Sequence, residues 1–207
     1  WTAVELCEQE QARLDGRYSH IVPTLDEETA EQMAREVSEA REAKDSVGGV
    51  ISCRVYGLPA GLGEPLYDKL TSRLASAMLG INAARGFELG EGFALASMRG
   101  SVANDPFHLN AEGRVAQVTN RGGGTLGGIT TGAPLTFRVA FKPTSSIGLP
   151  QETVRRDGEA VRLEITGRHD PCLALRAVPV VEAMTALTLM DFYLLHARST
   201  QRQGGED

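Results

Sequence analysis

The chain of 207 residues is poor in cysteine, in aromatic side chains and in positive charge. Its three cysteines, Cys7, Cys53 and Cys172, have no paired spacing, which argues against a disulfide framework and indicates reduced thiols in a cytosol-like compartment. Aromatic residues make up only 5%, so aliphatic side chains must build most of the core. The net charge of −6 argues against a nucleic acid or an anionic membrane as partner, because both attract basic proteins.

Uninterrupted apolar runs and metal-ligand spacings are also missing. The longest apolar run, 178–195, contains Glu182 and Asp191, which predicts a buried helix rather than a membrane span. The first residues are acidic and polar, so we expect no signal peptide and a cytoplasmic location. The histidines are not spaced as metal ligands, and we expect no metal. The length predicts one domain over 23–198, with a poorly ordered lead-in at 1–22 and a disordered tail at 199–207.

Hydrophobic periodicity predicts helices and strands in mixed order. Helices are predicted from a capping box at Thr24 to Lys44, along an apolar stripe from Leu66 to Met78, and from Pro179 to Arg198. Strands are predicted at 50–56, at 87–98 with a turn at 90–92, at 135–141 and at 161–165. Residues 100–133 are predicted to form a long glycine-rich loop. This order favours an α+β layered sandwich with a long buried C-terminal helix.

Two predicted strands end in segments that are suited to an anion. The segment 168–172 brings Arg168, His169 and Asp170 together just before the last helix, and Lys142 is followed by Pro143, Thr144, Ser145 and Ser146. A fixed cation and hydroxyl groups at a strand end suit a phosphate or the polar edge of a cofactor ring. The alternatives are an ordinary capped turn at 142–146 and a surface ion pair between Arg168 and Asp170.

Other motifs carry less information. Residues 122–127 formally satisfy GxGxxG, but an alternating strand follows instead of a helix, so we reject a nucleotide-binding fingerprint. The glycine-rich loop 122–132 then either lets backbone approach a flat or anionic ligand or serves as a flexible connector. Cys172 lies beside the ionisable cluster, and it is either a nucleophile or a small buried residue.

Several short motifs lie in order along the chain, at 61–65 with 68–70, 80–83 with Gly86, 90–93, 99–101, 104–105, 127–132, 142–146, and 168–172 with 182–184. Taken together, these segments resemble chorismate synthase. They follow the order of that family and cover the chain from about Pro23 to Phe192. The resemblance implies one half of the family's sandwich fold and a homotetrameric assembly.

The same resemblance implies a reaction and a cofactor. The family removes phosphate and a ring proton from 5-enolpyruvylshikimate-3-phosphate to give chorismate, in a 1,4-anti elimination of the shikimate pathway that leads to the aromatic amino acids. The family requires reduced FMN, although the reaction has no net redox change. The resemblance leaves open whether a separate reductase or the enzyme itself, with NADPH, reduces the flavin.

Site residues are implied residue by residue. The flavin contacts of the family fall on Asn82, Ala83, Gly127, Lys142, Pro143, Thr144, Ser145, Ser146 and Arg168. Arg168 would also stabilise the leaving phosphate, and Asp170 would orient the flavin or relay the proton, which makes these two the catalytic candidates. His169 between them is not assigned a role.

The departure from the family is large. Its N-terminal half is absent, with a catalytic histidine, several substrate-binding arginines and part of the flavin site. We therefore expect this chain to be inactive alone and to leave an apolar face exposed, which would favour self-association. The alternative functions are a non-catalytic flavin- or anion-binding module and an assembly module.

Overall fold

The computed structural model describes residues 12, 15–19 and 22–203, of which 200–203 are described by their backbone only. Most of the predicted lead-in at 1–22 and the end of the predicted tail lie outside these residues. The described chain forms two compact units. Unit 1 contains 51–140 and the chain from 179 onward, and unit 2 contains residues up to 50 together with 141–178.

Helices and strands alternate irregularly, which confirms the predicted α+β class. The helices are α1 (Glu27–Glu42), α2 (Leu70–Leu79), the single turn α3 (Gly100–Ala103) and α4 (Ala174–Gln203), with short 3-10 turns at Gly16–Tyr18 and Gly92–Ser97. The strands are β1 (Gly49–Val55), β2 (Ala84–Leu89), β3 (Phe107–Leu109), β4 (Val115–Gln117), β5 (Thr125–Leu126), β6 (Ile129–Thr130), β7 (Leu135–Phe141), β8 (Gln151–Val154) and β9 (Ala160–Leu163).

A three-stranded sheet in the order β1-β7-β2 carries the core of unit 1. The predicted alternation of β7 is confirmed, because Leu135, Phe137 and Val139 are all buried. The apolar stripe of α2, formed by Leu70, Leu74 and Met78, is also fully buried. Burial of each such side chain stabilises the fold by about 1.5–3 kcal/mol, so this aliphatic layer dominates the stability of unit 1.

Helix α4 buries one stripe of residues at helical spacing. Those residues are Ala174, Ala177, Val181, Thr185, Leu189 and Phe192. The opposite face, with Val180, Leu187, Met190 and Leu194, is exposed. Burial therefore follows one side of α4 rather than surrounding it, and the exposed apolar side agrees with the expectation of an uncovered face.

Helix α4 also passes a test for a membrane span by length and composition, because its most apolar 18-residue window has a mean hydropathy of 1.5. That test is weak, since core helices of globular proteins pass it as well. Here Arg73 of α2 donates to Asp191 at 2.9 Å and lies 5.6 Å from the centre of the Phe192 ring. These contacts and the buried stripe indicate a helix that packs within unit 1.

Unit 2 is built around α1, the β8–β9 hairpin and the chain that leads into α4. The amide of Val47 donates to the carbonyl of Pro171 at 2.8 Å, which joins the end of α1 to the segment before α4. Gly49 must be glycine, because a Cβ there would lie 2.6 Å from Cβ of Ala174. This close approach fixes the chain at 47–49 against the start of α4.

Several predicted boundaries were wrong for identifiable reasons. Asp26, not Thr24, caps α1, since its carboxylate accepts from the amide of Thr29 at 3.0 Å. Leu66 lies before α2 and is exposed, and residues after 90 form a 3-10 turn rather than a strand. Helix α4 begins at 174, so Pro179 lies inside it; the proline removes only the single hydrogen bond to the carbonyl of Leu175.

The predicted long loop at 100–133 instead contains the helical turn α3 and two antiparallel hairpins, β3–β4 and β5–β6. The strands are only two or three residues long, which is too short for a period-2 pattern to be read. Asp157 and Gly158 lie in the turn that connects β8 to β9. Strand β8 was missed because its residues are polar and largely exposed.

The cap of α1 can be tested by two alanine substitutions. Asp26→Ala should lower the free energy of unfolding by about 1 kcal/mol, because it removes the acceptor for an unpaired helix amide. Thr24→Ala, two residues earlier, should leave it unchanged within about 0.5 kcal/mol. Urea unfolding followed by circular dichroism measures both, and equal losses would contradict the assignment of the cap.

Candidate functional site

A cavity of about 860 Å³ in unit 2 collects most of the ionisable residues that the sequence singled out near α4. Its walls are the end of α1, the segment between β9 and α4, and the first turn of α4. It is lined by Arg41, Lys44, Asp45, Gly148, residues 164–171 and Arg176. The cavity therefore brings the two predicted catalytic residues, Arg168 and Asp170, together with cations that the sequence analysis missed.

Asp170 is held by an arginine, but not by its neighbour Arg168. Its Oδ2 accepts from Nη1 of Arg176 at 3.0 Å, and the Asp170 side chain is 28% exposed. The expected alternative, a surface ion pair between Arg168 and Asp170, does not form. Within the described residues, the Arg168 guanidinium makes no hydrogen bond or ion pair, so its charge is available to a ligand.

His169 has a local structural role. Its Nε2 lies 3.1 Å from the carbonyl oxygen of Ile165, and because a carbonyl only accepts, this nitrogen carries the proton. The contact closes the turn of residues 165–169 and directs the imidazole to the backbone. This agrees with leaving His169 without a catalytic assignment.

The cations on the α1 side were missed because their signal is not local. Arg41 and Lys44 lie three residues apart at the end of α1, more than 100 residues before Arg168 in sequence. Their pattern alone is that of an ordinary solvated helix end. Lys44 Nζ lies 4.0 Å from Oε1 of Glu164, with both side chains more than half exposed, so this ion pair is weak.

The cavity has a basic excess on an acidic chain. Arg41, Lys44, Arg168 and Arg176 face three carboxylates, those of Asp45, Glu164 and Asp170. Two of the carboxylates are paired with Lys44 and Arg176, and Oδ1 of Asp45 accepts from the amide of Ser46 at 2.8 Å. The guanidinium groups of Arg41 and Arg168, which are unpaired within the described part of the chain, make this a cavity suited to an anion.

The segment 142–146 runs beside residues 44–46 but does not line the cavity. The hydroxyl of Ser46 donates to the carbonyl of Thr144 at 2.7 Å, which fixes the segment. The hydroxyl oxygen of Thr144 is buried and has no hydrogen-bond partner among the described residues. A buried hydroxyl without a partner is costly, and a bound polar group would satisfy it. The ligand-binding interpretation of this segment therefore has more support than the ordinary capped turn.

The remaining predicted flavin contacts lie in unit 1. Ala83 connects α2 to β2 with φ at +69°, a left-handed conformation that costs an L residue about 1–2 kcal/mol. The neighbouring Asn82 is exposed. Strain of this kind concentrates at ligand sites, which supports a role for the backbone of Ala83.

Gly127 is at the tip of the β5–β6 hairpin, where both turn residues have positive φ. A Cβ on Gly127 would meet nothing within 4 Å, so the tip is open to a ligand. Gly128 is different: a Cβ there would lie 2.5 Å from Cγ of Lys69, and its carbonyl accepts from the amide of Leu70. The hairpin thus supports the start of α2 through Gly128 and leaves Gly127 exposed.

The glycine-rich loop is a braced turn rather than a flexible connector. Asp105 accepts from the hydroxyl of Thr119 at 2.7 Å and from the amides of Arg121 and Gly122 at 2.8 and 2.7 Å. Burial alone would raise the pKa of Asp105, but these hydrogen bonds together lower it. The acidic group at 105 therefore fixes the loop that leads to β5.

The cysteines that the structure describes are structural. Cys172 is buried, and its thiol donates to the carbonyl of Gly48 at 3.8 Å. Burial raises the pKa of the Cys53 thiol, which disfavours a reactive thiolate there. The small buried residue is the better interpretation of Cys172. Among the described residues, no three histidine, cysteine or acidic side chains cluster as a metal site.

These features define an α+β protein with a basic cavity before its C-terminal helix. The family model described as chorismate synthase matches residues 4–194, and the chain belongs to the chorismate synthase family. Chorismate synthase of Porphyromonas gingivalis is 56% identical over 158 residues, which are 76% of this chain and 43% of that protein. That of Opitutus terrae is 53% identical over 166 residues, 80% of this chain and 46% of that protein.

A solved structure agrees with the family assignment. A crystal structure of chorismate synthase superimposes with a TM-score of 0.73 at 27% identity and covers 92% of this chain and 50% of that one. This confirms the predicted resemblance and its fold. The chain spans about half the length of the curated relatives that it matches.

The brace at Asp105 predicts a specific pH dependence. Because its folded pKa is lowered, Asp105 stabilises the fold above about pH 3.9, its ordinary unfolded pKa, and this contribution is lost as pH falls through the folded pKa. Asp105→Asn should lower the free energy of unfolding by about 1–3 kcal/mol at pH 7 and reduce its decline below pH 4.

Urea unfolding at pH 7 and at about pH 3.5 measures this effect. Asp157→Asn, in the exposed β8–β9 turn, is the matched control, because its carboxylate accepts only the amide of Glu159. An Asp105→Asn variant with the same pH profile as the parent chain would contradict the role of the brace.

Proposed function

We propose that this chain supplies part of a chorismate synthase that converts 5-enolpyruvylshikimate-3-phosphate to chorismate by 1,4-anti elimination of phosphate. The observation that carries the proposal is the basic cavity that holds Arg168 and Asp170, in a chain that belongs to this family. The curated relatives are about twice as long, so the complete site includes residues outside this chain. We expect the chain alone to be inactive.

The residues present fit a flavin. In unit 2, the buried hydroxyl of Thr144 has no partner among the described residues, and a polar edge of the ring would satisfy it. In unit 1, the left-handed backbone of Ala83 and the open tip at Gly127 each offer backbone that a ring could approach. The flavin contacts that we propose from the family resemblance are Asn82, Ala83 and Gly127 in unit 1, and Lys142, Pro143, Thr144, Ser145, Ser146 and Arg168 in unit 2. Reduced FMN, when bound, supplies electron density transiently and recovers it, so the reaction needs no net oxidant.

Arg168 stabilises the charge that develops on the leaving phosphate. Its guanidinium is unpaired in the described chain and lines the cavity, so it can form charge-assisted hydrogen bonds without first breaking an ion pair. Such a contact becomes stronger as the C–O bond breaks and negative charge moves to the phosphate. It therefore lowers the barrier rather than only increasing affinity.

Asp170 provides the acceptor for proton movement. Arg176 engages Oδ2, which orients the carboxylate and leaves Oδ1 without a partner among the described residues. A carboxylate oxygen held in this way can accept a proton from a bound substrate. In the proposed reaction, Oδ1 of Asp170 helps to relay the ring proton as phosphate departs, so that one proton and one phosphate leave for each new double bond.

Flavin titration of the chain tests the proposal directly. FMN, oxidised and dithionite-reduced, should bind to the parent chain, and Arg168→Ala or Lys142→Ala should weaken binding at least about tenfold by removing a charge-assisted contact. Flavin fluorescence and absorbance give the dissociation constants. Arg156→Ala, at the exposed β8–β9 turn of the same unit, removes a like charge away from the cavity and should leave them unchanged.

The outcomes separate the candidate functions. Binding that depends on Arg168 and Lys142, together with phosphate release from the substrate once an N-terminal half is added, would support the enzyme. Binding without any activity in that mixture would favour the non-catalytic flavin module. Flavin affinity that is the same in all variants would contradict the assignment of these residues.

The proposal also extends to assembly and location. We propose that the complete protein is a cytoplasmic homo-oligomer. The family resemblance implies that this oligomer is a homotetramer. The exposed apolar side of α4 supports association, because exposed contiguous apolar surface marks contact sites. Whether NADPH or a separate reductase supplies the reduced flavin is open in the proposal.

A further inference from the structure

We propose that Lys44, together with Arg41, binds a phosphate monoester in the cavity of unit 2. Neither residue is among the flavin or catalytic contacts that the family resemblance assigns. The inference rests on the proposed function for the source of the ligand, because both the flavin and the substrate of that reaction carry a phosphate monoester. The binding chemistry itself rests on this chain alone.

The backbone of Lys44 is the first observation. Its φ is +58°, a left-handed conformation that only Lys44 and Ala83 adopt among the described non-glycine residues. The position follows the end of α1, where glycine or asparagine is usual because a Cβ is disfavoured there. A lysine at such a position indicates that its side chain is needed locally.

The second observation is that the lysine stem is held. The amide of Gly148 donates to the carbonyl of Lys44 at 2.9 Å. A Cβ on Gly148 would lie 3.1 Å from Cβ and 3.6 Å from Cγ of Lys44, so the stem rests against bare backbone. Contact with a rigid glycine reduces the conformational entropy that the side chain loses on binding a ligand.

The third observation is the charge around Lys44. Arg41 lies in the last turn of α1, three residues before Lys44, and has no side-chain partner among the described residues. Stabilisation of a helix C-terminus explains a cation in the last turn, such as Arg41, but it does not explain a cation at a left-handed position. The 4.0 Å pair with Glu164 is weak enough for an anion to replace it.

A phosphate monoester matches this arrangement in charge and in number of acceptors. It carries up to two negative charges and several acceptor oxygens, and a guanidinium with an ammonium group supplies two charges and many donors. Asp170 and Arg176 satisfy each other at 3.0 Å on the α4 side of the cavity. The ligand would therefore be held at the α1 side, by Arg41 and Lys44, with Arg168 free to contribute.

Inorganic phosphate is the probe for the first test, monitored by backbone amide shifts in NMR spectra of the full chain. Lys44→Gly should weaken phosphate binding about tenfold or more, since a charge-assisted contact is lost. The same substitution should raise the thermal midpoint, because glycine adopts the left-handed conformation without strain. Greater stability combined with weaker binding distinguishes a binding residue from a structural one.

Three further variants sharpen the test. Lys44→Arg keeps the charge and should retain binding, whereas Arg41→Gln should weaken it. Glu164→Gln removes the carboxylate that competes for Lys44 and should tighten binding severalfold. Arg156→Gln, in the exposed β8–β9 turn, is the control for net charge and should have no effect.

Phosphate affinity that is equal in the parent chain and in Lys44→Gly, or no binding at tens of millimolar phosphate, would overturn the inference. Competition then identifies the source. Displacement by FMN but not by riboflavin assigns the flavin phosphate, and displacement by 5-enolpyruvylshikimate-3-phosphate but not by FMN assigns the substrate. If neither FMN nor the substrate displaces inorganic phosphate, the cavity binds an adventitious ion only. That outcome overturns the assignment of a phosphate ester.

The two proposals fail separately. Loss of flavin binding in Arg168→Ala without any effect of Lys44→Gly on phosphate would leave the proposed function standing and remove this inference. The opposite result is phosphate binding that depends on Lys44 together with a flavin affinity that Arg168→Ala and Lys142→Ala do not change. That result would support this inference and contradict the proposed flavin contacts.

Discussion

The structure depends on burial of one face of strand β7. Leu135, Phe137 and Val139 are essentially inaccessible to solvent, and each contributes about 1.5–3 kcal/mol by burial. Because side chains alternate along a strand, a slip of one residue would expose all of them, so the register of β7 is strongly determined. The strand ends at Phe141, and the same register fixes where Lys142 and the hydroxyl-bearing segment begin. A hydrophobic constraint thus positions a polar segment.

Residues proposed to contact a ligand carry a local cost in stability in each of the two units. In unit 1, Ala83 adopts a left-handed backbone conformation that alanine disfavours. In unit 2, Lys44 adopts the same conformation, and the buried hydroxyl of Thr144 has no partner among the described residues. Each of these costs on the order of 1 kcal/mol or more in a fold whose total stability is only about 5–15 kcal/mol. Such costs persist when the surrounding packing enforces them, and they mark positions where a ligand can restore the loss.

The two arginines of the cavity near Asp170 differ in their ion pairing. Arg176 orients Asp170, while Arg168, two residues before Asp170, is unpaired among the residues that the structure describes. If Arg168 had paired with Asp170 instead, the Arg168 guanidinium would not be available to a ligand. The first turn of α4 supplies the third charge that prevents this, because it places Arg176 within reach of Asp170.

The sequence by itself determined the α+β class, strands β1 and β7, and the family, because periodic burial and ordered motifs are written along the chain. It also indicated Arg168 and Asp170, which are two residues apart. Only the tertiary structure decided that Asp26 caps α1, that the glycine-rich region forms braced hairpins, and that Arg41 and Lys44 lie in the same cavity as Arg168. The physical reason is that these features depend on individual hydrogen bonds, such as those of Asp26 and Asp105, or on contacts between residues more than 100 positions apart, such as Arg41 and Arg168. Local propensity and hydrophobic periodicity do not predict such contacts.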